Sequence, residues 1–423
     1  MKICNRFTHF PTFVISIFLI IQCSETPLEH ELDHSSLNIG TITIDNISAV
    51  NYLVAPNLGS HESLYLGERN DLDIPITFIR FPESNPSKPN YWNFFFDSTI
   101  VIDSLHFILF SKDSVIPENL KPTLYFSPDS QFNENLSNYL DFQNYTFTDW
   151  TNLGEPEIKV RTDTSTLFMY SELIWSLDTS LMQSLSDSLD LSDTLESNLV
   201  RSFAIQLAQR DSNLIELYSE EATSGDKDPQ IIIYYTQSIL LGDSTTVIDT
   251  SLNIYSDGDL SIFDPTQTFP PINDTINYGI GLSNGRGIRS FVSISFPADT
   301  LPVGSVIRSA NLFIPTDSSN DSQNYKIFID PVETDSSVTD SISIYETDPY
   351  ISIGYPYRIT AQSDSTGYGF SIKNILQNIL LGNEIILGFK MVADEKNDPF
   401  ESVWFDLTGD MIRPRLEIIY VYN

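Results

Sequence analysis

The chain has 423 residues, enough for two domains of ordinary size, and 57 Asp and Glu against 22 Lys and Arg give a formal net charge of −35. This charge excludes nucleic acid as a partner, because affinity for phosphate depends on clustered basic side chains. Both cysteines fall within the first 23 residues, so no disulfide can form within the folded body. Core packing must therefore hold the fold together.

The first 22 residues have the composition of an export signal. Lys2 and Arg6 precede an apolar run at 13–21 that is too short to span a bilayer as a helix, and Cys23 follows directly after Gln22. An apolar run that ends at a cysteine resembles a bacterial lipoprotein signal. The resemblance implies acylation of Cys23 and a lipid anchor in the bacterial cell envelope, at the outer membrane or cell surface. An ordinary cleaved secretory signal is the alternative.

The rest of the chain divides by composition into a tether and two larger units. Residues 23–39 are polar without an apolar period, which predicts a flexible tether. Short β-branched and aromatic runs between turn residues then predict antiparallel strands throughout. We predict one domain over 40–236, a linker at 237–243 and a second domain over 244–423.

The two predicted domains close in the same way. A strand follows Pro229 in the first and Pro414 in the second, and proline suits the start of a strand because it has no N–H to donate to the ladder. The segment 369–375 also parallels 202–208, where Phe203, Ile205 and Leu207 share one face. A closing pattern that occurs twice predicts an all-β chain of two tandem antiparallel β-sandwiches of jelly-roll type.

The first domain carries an insertion at 173–199. Leucines recur there at near-helical spacing, which predicts a small helical insertion on the edge of the sandwich. These are Leu181, Leu185, Leu189, Leu195 and Leu199. The acids between them indicate a solvated face.

Short motifs recur in the same order in both halves. They lie at 64–67, 78–81, 102–105, 217–220 and 229–235, and again at 277–279, 293–296, 307–312 and 414–420. Their order resembles the family of DNRLRE domains, which are also classed among carbohydrate-binding modules. The resemblance implies a β-sandwich that binds glycan or another cell-surface component.

Catalytic residues are not evident in the sequence. The segment 281–285 (GLSNG) matches the nucleophile-elbow pattern, but a strand follows it and the last histidine, His106, lies far upstream. We therefore interpret it as a Gly-rich loop. The sequence predicts a non-enzymatic lipoprotein that binds glycan or another surface ligand. A structural or adhesive surface protein with a protein partner is the alternative, and a polysaccharide-degrading enzyme, which needs two placed carboxylates, is the third hypothesis.

Two tryptophans are the candidate ligand-binding residues. Alternation over 402–407 places Val403 and Phe405 on an apolar face and Trp404 on the other, where a ring could lie under a sugar. Trp92 lies in a loop next to a Pro-rich stretch and is the second candidate. Packing at an edge or between domains is the alternative for Trp404.

Asp257, Asp259 and Asp264 form the best candidate metal site. Closely spaced carboxylates in a loop are typical ligands of Ca²⁺, although the spacing does not complete an EF-hand. The sequence implies no other cofactor. Structural calcium and a metal-free acidic turn both stay open.

Overall fold

The structure is a computed structural model that describes residues 37–423 with several internal gaps. The gaps are 83–90, 96, 118–119, 128–131, 144, 165, 186–200, 209–212, 224–225, 242–243, 266–279, 296–299, 317–324, 333–343, 353–357, 383–387 and 408–412. The predicted export signal, Cys23 and most of the predicted tether lie outside the described residues.

Most of the described chain is extended. In chain order the strands begin with β1 (Asn38–Ile44), β2 (Ile47–Val54), β3 (Ser63–Arg69), β4 (Leu72–Phe81), β5 (Ile100–Ser111), β6 (Pro122–Ser127), β7 (Thr151–Gly154), β8 (Glu157–Thr162), β9 (Met169–Leu177), β10 (Arg201–Leu207), β11 (Leu214–Tyr218), β12 (Gln230–Leu241), β13 (Ser244–Tyr255) and β14 (Gly258–Asp264). They continue with β15 (Ile280–Leu282), β16 (Ile288–Ile294), β17 (Val306–Pro315), β18 (Ile327–Val332), β19 (Ile344–Tyr345), β20 (Ile359–Thr360), β21 (Gln362–Asp364), β22 (Gly367–Ser371), β23 (Gly388–Ala393), β24 (Val403–Phe405) and β25 (Arg415–Tyr422). The described helices are α1 (Tyr91–Phe94), a 3-10 turn (Thr179–Leu181), α2 (Met182–Leu185) and α3 (Lys373–Leu380). The predicted all-β sandwich fold is confirmed.

Strands β3–β14 form the N-terminal body, a sandwich of antiparallel strands. One layer runs β14-β4-β10-β6-β7 and the other β13-β12-β5-β9-β8, with the β3–β11 pair joining them. Between the layers, Phe107 of β5 contacts Phe203 of β10 with ring centroids 5.0 Å apart, and Phe81 of β4 lies 5.5 Å from Phe203. Burial of these large rings is the main favourable contribution to folding in a body that has no disulfide.

The outer face of the β4–β10 layer is also covered. Ala204 is as fully buried as its neighbours Phe203 and Ile205 on β10, although alternation turns it the other way. Described residues of 132–143 and 145–150 pack over this face, and Phe132 stacks on Phe78 at 5.4 Å. This covering segment also positions the acidic residue Glu134, which is discussed below.

Strands β1, β2 and β15–β25 form the C-terminal body. One sheet runs β1-β25-β17-β22-β21 and a second runs β19-β2-β16-β23-β18-β20, while β15 pairs with β24. Helix α3 packs on β17 and adds Ile375 and Leu376 to the shared core. The strands after Pro229 and Pro414, β12 and β25, both form as predicted.

Strand pairing crosses the predicted domain boundaries in both directions. β1 and β2, near the start of the first predicted domain, pair with β25 and β16 of the C-terminal body. β14, placed by the prediction in the second domain, pairs with β4 of the N-terminal body. The predicted linker also differs, because residues 237–241 extend β12 and each has a partner in β13.

The predicted helical insertion at 173–199 is described up to residue 185 and is helical only from residue 179. Residues 173–177 belong to strand β9, which pairs on one side with β5 and on the other with β8. The 3-10 turn and α2 are the helical part, and Leu185 is fully buried against the core. The remaining leucines, Leu189, Leu195 and Leu199, lie outside the described residues.

An aromatic junction joins the two bodies. Phe400 of the C-terminal body lies 5.1 Å from Tyr65 and 6.0 Å from Phe263 of the N-terminal body, measured between ring centroids. Arg69 forms an ion pair with Asp398 at 3.4 Å beside them. The junction brings the loop after β2 close to the turns of the C-terminal body, where a pocket opens.

Candidate ligand-binding site

A pocket of about 350 Å³ lies where the ends of β2, β16 and β23 meet. This is the lower part of the range for small-molecule sites. Its lining residues are Val54, Pro56, Asn57, Leu58, Ser283, Asn284, Gly287, Ile288, Arg289, Phe328, Arg358, Lys390, Val392, Ala393, Asp394 and Glu395. We call it the seam pocket.

The turn between β15 and β16 shapes one side of the seam pocket. Gly287 has a φ of +64°, and a Cβ there would lie 1.9 Å from the carbonyl oxygen of Val54. Val54 in turn donates its N–H to the Gly287 carbonyl at 2.9 Å. Only glycine satisfies both conditions, so the loop after β2 and this turn are held in close contact.

The GLSNG segment has the strand–turn–strand context that the sequence predicts. Ser283, at the position of the elbow serine, is buried, and its hydroxyl donates to the Glu401 carbonyl at 3.1 Å. This bond fixes Ser283 in the wall of the seam pocket.

An aspartate behind the pocket holds two of its cationic side chains. Asp348 pairs with Arg289 and, at 3.1 Å, with Lys390. The Tyr52 hydroxyl donates to the same carboxylate at 3.3 Å, and the N–H of Tyr350 donates to it at 2.9 Å. Burial, and then the charge of Asp348, raises the pKa of Tyr52 well above its ordinary value. The tyrosine therefore stays neutral and serves as a donor.

A second aspartate orients the third cationic side chain. Asp330 is buried, and it accepts two hydrogen bonds from Arg358, at 2.8 Å from Nε and at 2.7 Å from Nη2. The guanidinium also lies over the Phe328 ring, 5.2 Å from its centroid. A guanidinium has five N–H donors, and half of this side chain is exposed, so it can also donate into the pocket.

The seam pocket therefore combines three cationic side chains, each held by an aspartate, with hydrogen-bonding groups. Arg289, Arg358 and Lys390 line it, and Asp394 and Glu395 lie at its edge. Such an arrangement suits a polar ligand that carries a negative group at one end.

The predicted ligand-binding tryptophans lie elsewhere. Trp404 is half-buried, with Val403 and Phe405 buried on the opposite face, as alternation predicts. Its ring lies over Gly281, where a Cβ would be only 2.6 Å from it. Trp92 is buried. Its Nε1 donates to the Pro82 carbonyl at 2.8 Å, and its ring contacts Arg201. The Trp92 ring thus has no exposed face for a sugar.

The three aspartates predicted to bind a metal do not converge. Asp257 pairs with Arg80 at 3.0 Å, and Asp259 is fully buried. Asp264 lies five residues beyond Asp259 on the same strand, which is roughly 17 Å. A single ion therefore cannot bind to both Asp259 and Asp264. Asp259 belongs to a different cluster, which is described below.

Sequence reasoning missed the residues of the seam pocket. A signal was present, because Lys390 and Arg289 interrupt apolar strands in a chain with few basic residues. Asp330 interrupts β18 in the same way. Charged residues within strands whose sequence predicts burial are usually paired or functional.

Comparison with known proteins returned no matching family model, no matching curated protein and no matching solved structure. The resemblance to DNRLRE domains stays a prediction. Among the residues that the structure describes, none of the helices has the length and apolar character needed to cross a membrane.

Proposed function

We propose that the chain is a non-enzymatic cell-envelope lipoprotein that binds an acidic glycan in the seam pocket. The supporting observation is the convergence of Arg289, Arg358 and Lys390 on one pocket in a chain of net charge −35. A sugar carboxylate can accept paired hydrogen bonds from a guanidinium, and hydroxyl groups can pair with the polar edge. The sandwich fold is compatible with this role but does not define it.

Glycan binding is tested with an array that includes uronic-acid and neutral glycans, using the full chain in mild detergent. We expect binding to carboxylated glycans, weakened about tenfold or more in Arg358→Gln. The matched control is Arg161→Gln, which removes a half-exposed arginine paired with Glu172 in the N-terminal body.

The same array separates the seam pocket from the tryptophan prediction. Binding that is lost in Trp404→Ala and kept in Arg358→Gln would move the site to Trp404. A blank array with properly folded protein would contradict glycan binding, and release of shortened glycan would contradict the non-enzymatic assignment.

The lipid anchor has its own test. Cells fed an alkyne-tagged palmitate should label the wild-type chain and the Cys4→Ser variant, but not Cys23→Ser. Both cysteines lie in the segment 1–36, so the comparison changes one thiol at a time. Label that persists in Cys23→Ser would contradict anchoring at this residue.

A structural or adhesive role is the second candidate, and strand β13 favours it. β13 pairs with β12, and within the described part of the chain no strand pairs with its other edge. Val247 and Ile248 on this strand are 60% and 42% exposed. A long exposed edge of this kind can pair with the same edge of a second copy. Light scattering should then give a dimer for wild type and a monomer for the Val247→Lys/Ile248→Lys variant.

A further inference from the structure

A second cluster of charged groups lies in the N-terminal body, and its carboxylates are not among the side chains that line the seam pocket. Carboxylate oxygens of Glu134, Glu220 and Glu221 all lie within 4.8 Å of one another. Glu134 comes from the segment that covers the outer face of the β4–β10 layer, and the other two follow β11. Asp259 of β14 adjoins them.

Local hydrogen bonds place these side chains. Asn57 donates its side-chain N–H to the Glu134 carbonyl at 2.8 Å, which fixes the covering segment. Ser219 is buried and donates its hydroxyl to the His61 carbonyl at 2.7 Å, which fixes the turn that carries Glu220 and Glu221.

The buried carboxylate of Asp259 provides the evidence for a ligand. The residue is 0% exposed, its N–H donates to Glu134 Oε1 at 2.9 Å, and its Oδ2 accepts the N–H of Glu220 at 2.8 Å. Its other oxygen, Oδ1, is buried with no hydrogen-bond partner among the described residues, and Glu221 Oε2 is in the same condition. A buried carboxylate oxygen without a partner is costly, so native structures provide one.

The charges around the cluster do not compensate it. Arg80 attracts the Glu220 carboxylate, but it also forms an ion pair with Asp257 through Nε at 3.0 Å. Asp228 and Asp257 add further negative charge near Glu220. The cluster therefore carries more negative charge than its surroundings balance.

We propose that Glu134, Glu220, Glu221 and Asp259 bind a calcium ion. The donors are all hard oxygens, without histidine or cysteine, which favours Ca²⁺ over zinc or copper. Ca²⁺ also accepts an irregular set of carboxylates more readily than Mg²⁺, which demands octahedral geometry. The ion would tie three segments together: the covering segment, the turn after β11 and strand β14. The site shares only Asp259 with the trio that the sequence suggested.

The test measures Ca²⁺ binding to the full chain by calorimetry, together with Tm with and without the ion. We expect stoichiometric binding and a rise in Tm for wild type. Glu220→Gln/Glu221→Gln should lose both, and without calcium its Tm should equal or exceed that of the wild type, because charge repulsion is relieved. The control Glu155→Gln/Glu157→Gln makes the same charge change at exposed positions of the same body and should keep both.

Two results would overturn the site: no calcium-dependent rise in Tm for wild type, or an equal rise in the Glu220→Gln/Glu221→Gln variant. An equal rise with Mg²⁺ would overturn the assignment to calcium. If the double variant does not fold, Asp259→Asn decides, because an asparagine oxygen can still accept the Glu220 N–H. Folded Asp259→Asn protein with unchanged calcium affinity would contradict the proposal.

Discussion

Ile44 on β1 lies directly opposite Leu416 on β25, so the first and last described strands form one antiparallel pair. Both side chains are buried in the core of the C-terminal body. The pair joins parts of the chain that are almost its full described length apart, and it places β1 outside the domain to which its sequence position assigns it.

Truncation of Ile44 should destabilise the C-terminal body. Ile44→Ala removes a buried side chain from the core, and we expect the free energy of unfolding to fall by about 2–4 kcal/mol. Urea unfolding measures this. The control is Ile39→Ala on the same strand, where 68% exposure predicts a change below about 0.5 kcal/mol. Equal effects of the two substitutions would contradict this placement of β1.

The exchange of strands also predicts which fragments fold. Residues 244–423 alone lack β1 and β2, which leaves β25 paired only with β17 and β16 paired only with β23. We expect this fragment to show no cooperative unfolding transition, and we expect attachment of residues 37–56 to restore one. A cooperative transition in the fragment alone would mean that the C-terminal body does not need these strands.

Gly287→Ala should damage both stability and the seam pocket. The φ of +64° costs any other residue about 1 kcal/mol, and the new Cβ would also collide with the Val54 carbonyl. Gly304→Ala is the matched control, because Gly304 has a φ of +81° but nothing within 4 Å of its Cβ position. Thermal unfolding should show a clearly larger loss for Gly287→Ala. Similar losses would indicate that the close contact with Val54 is not needed.

His61 should make stability fall in mild acid. Its ring is buried, its Nδ1 accepts the Ser63 N–H at 3.2 Å, and burial lowers its pKa below 6.5. As the pH falls below about 6.5, the unfolded chain takes up a proton that the folded chain does not, so the free energy of unfolding decreases. Above that pH the contribution is constant.

To test this, the free energy of unfolding is measured between pH 7 and pH 5 for wild type and for His61→Asn. The slope against pH is then compared between the two proteins. The difference removes the opposing contribution of the acids with raised pKa. His106→Asn should change the slope less, because the His106 ring is less buried than the His61 ring. An unchanged slope in His61→Asn would show that this histidine does not titrate with unfolding.

Features that depend on neighbouring residues could be predicted from the sequence. Prolines at 229 and 414 marked the starts of β12 and β25, and alternation put Trp404 opposite Val403 and Phe405. These features follow from local backbone chemistry and from the two-residue period of a strand.

Features that depend on which segments meet could not be predicted. Alternation in β1 predicts that one face of the strand is buried, but it does not identify the core against which that face packs. The pairing of β1 with β25 therefore could not be predicted. The acids of the calcium cluster, such as Glu134 and Glu220, come from segments far apart in the chain, and so do the arginines of the seam pocket. The burial of Trp92 could not be predicted either, because it depends on contacts with Pro82 and Arg201.

The pairing of β1 with β25 also sets the order of events in folding. The C-terminal body cannot be completed until its last strand has been made, and until then β1 lacks β25, the strand with which it pairs. Contacts so distant in sequence close slowly, because a long loop must be ordered first. During synthesis β1 therefore has an unpaired edge and an uncovered apolar face, which a chaperone can protect until β25 is made.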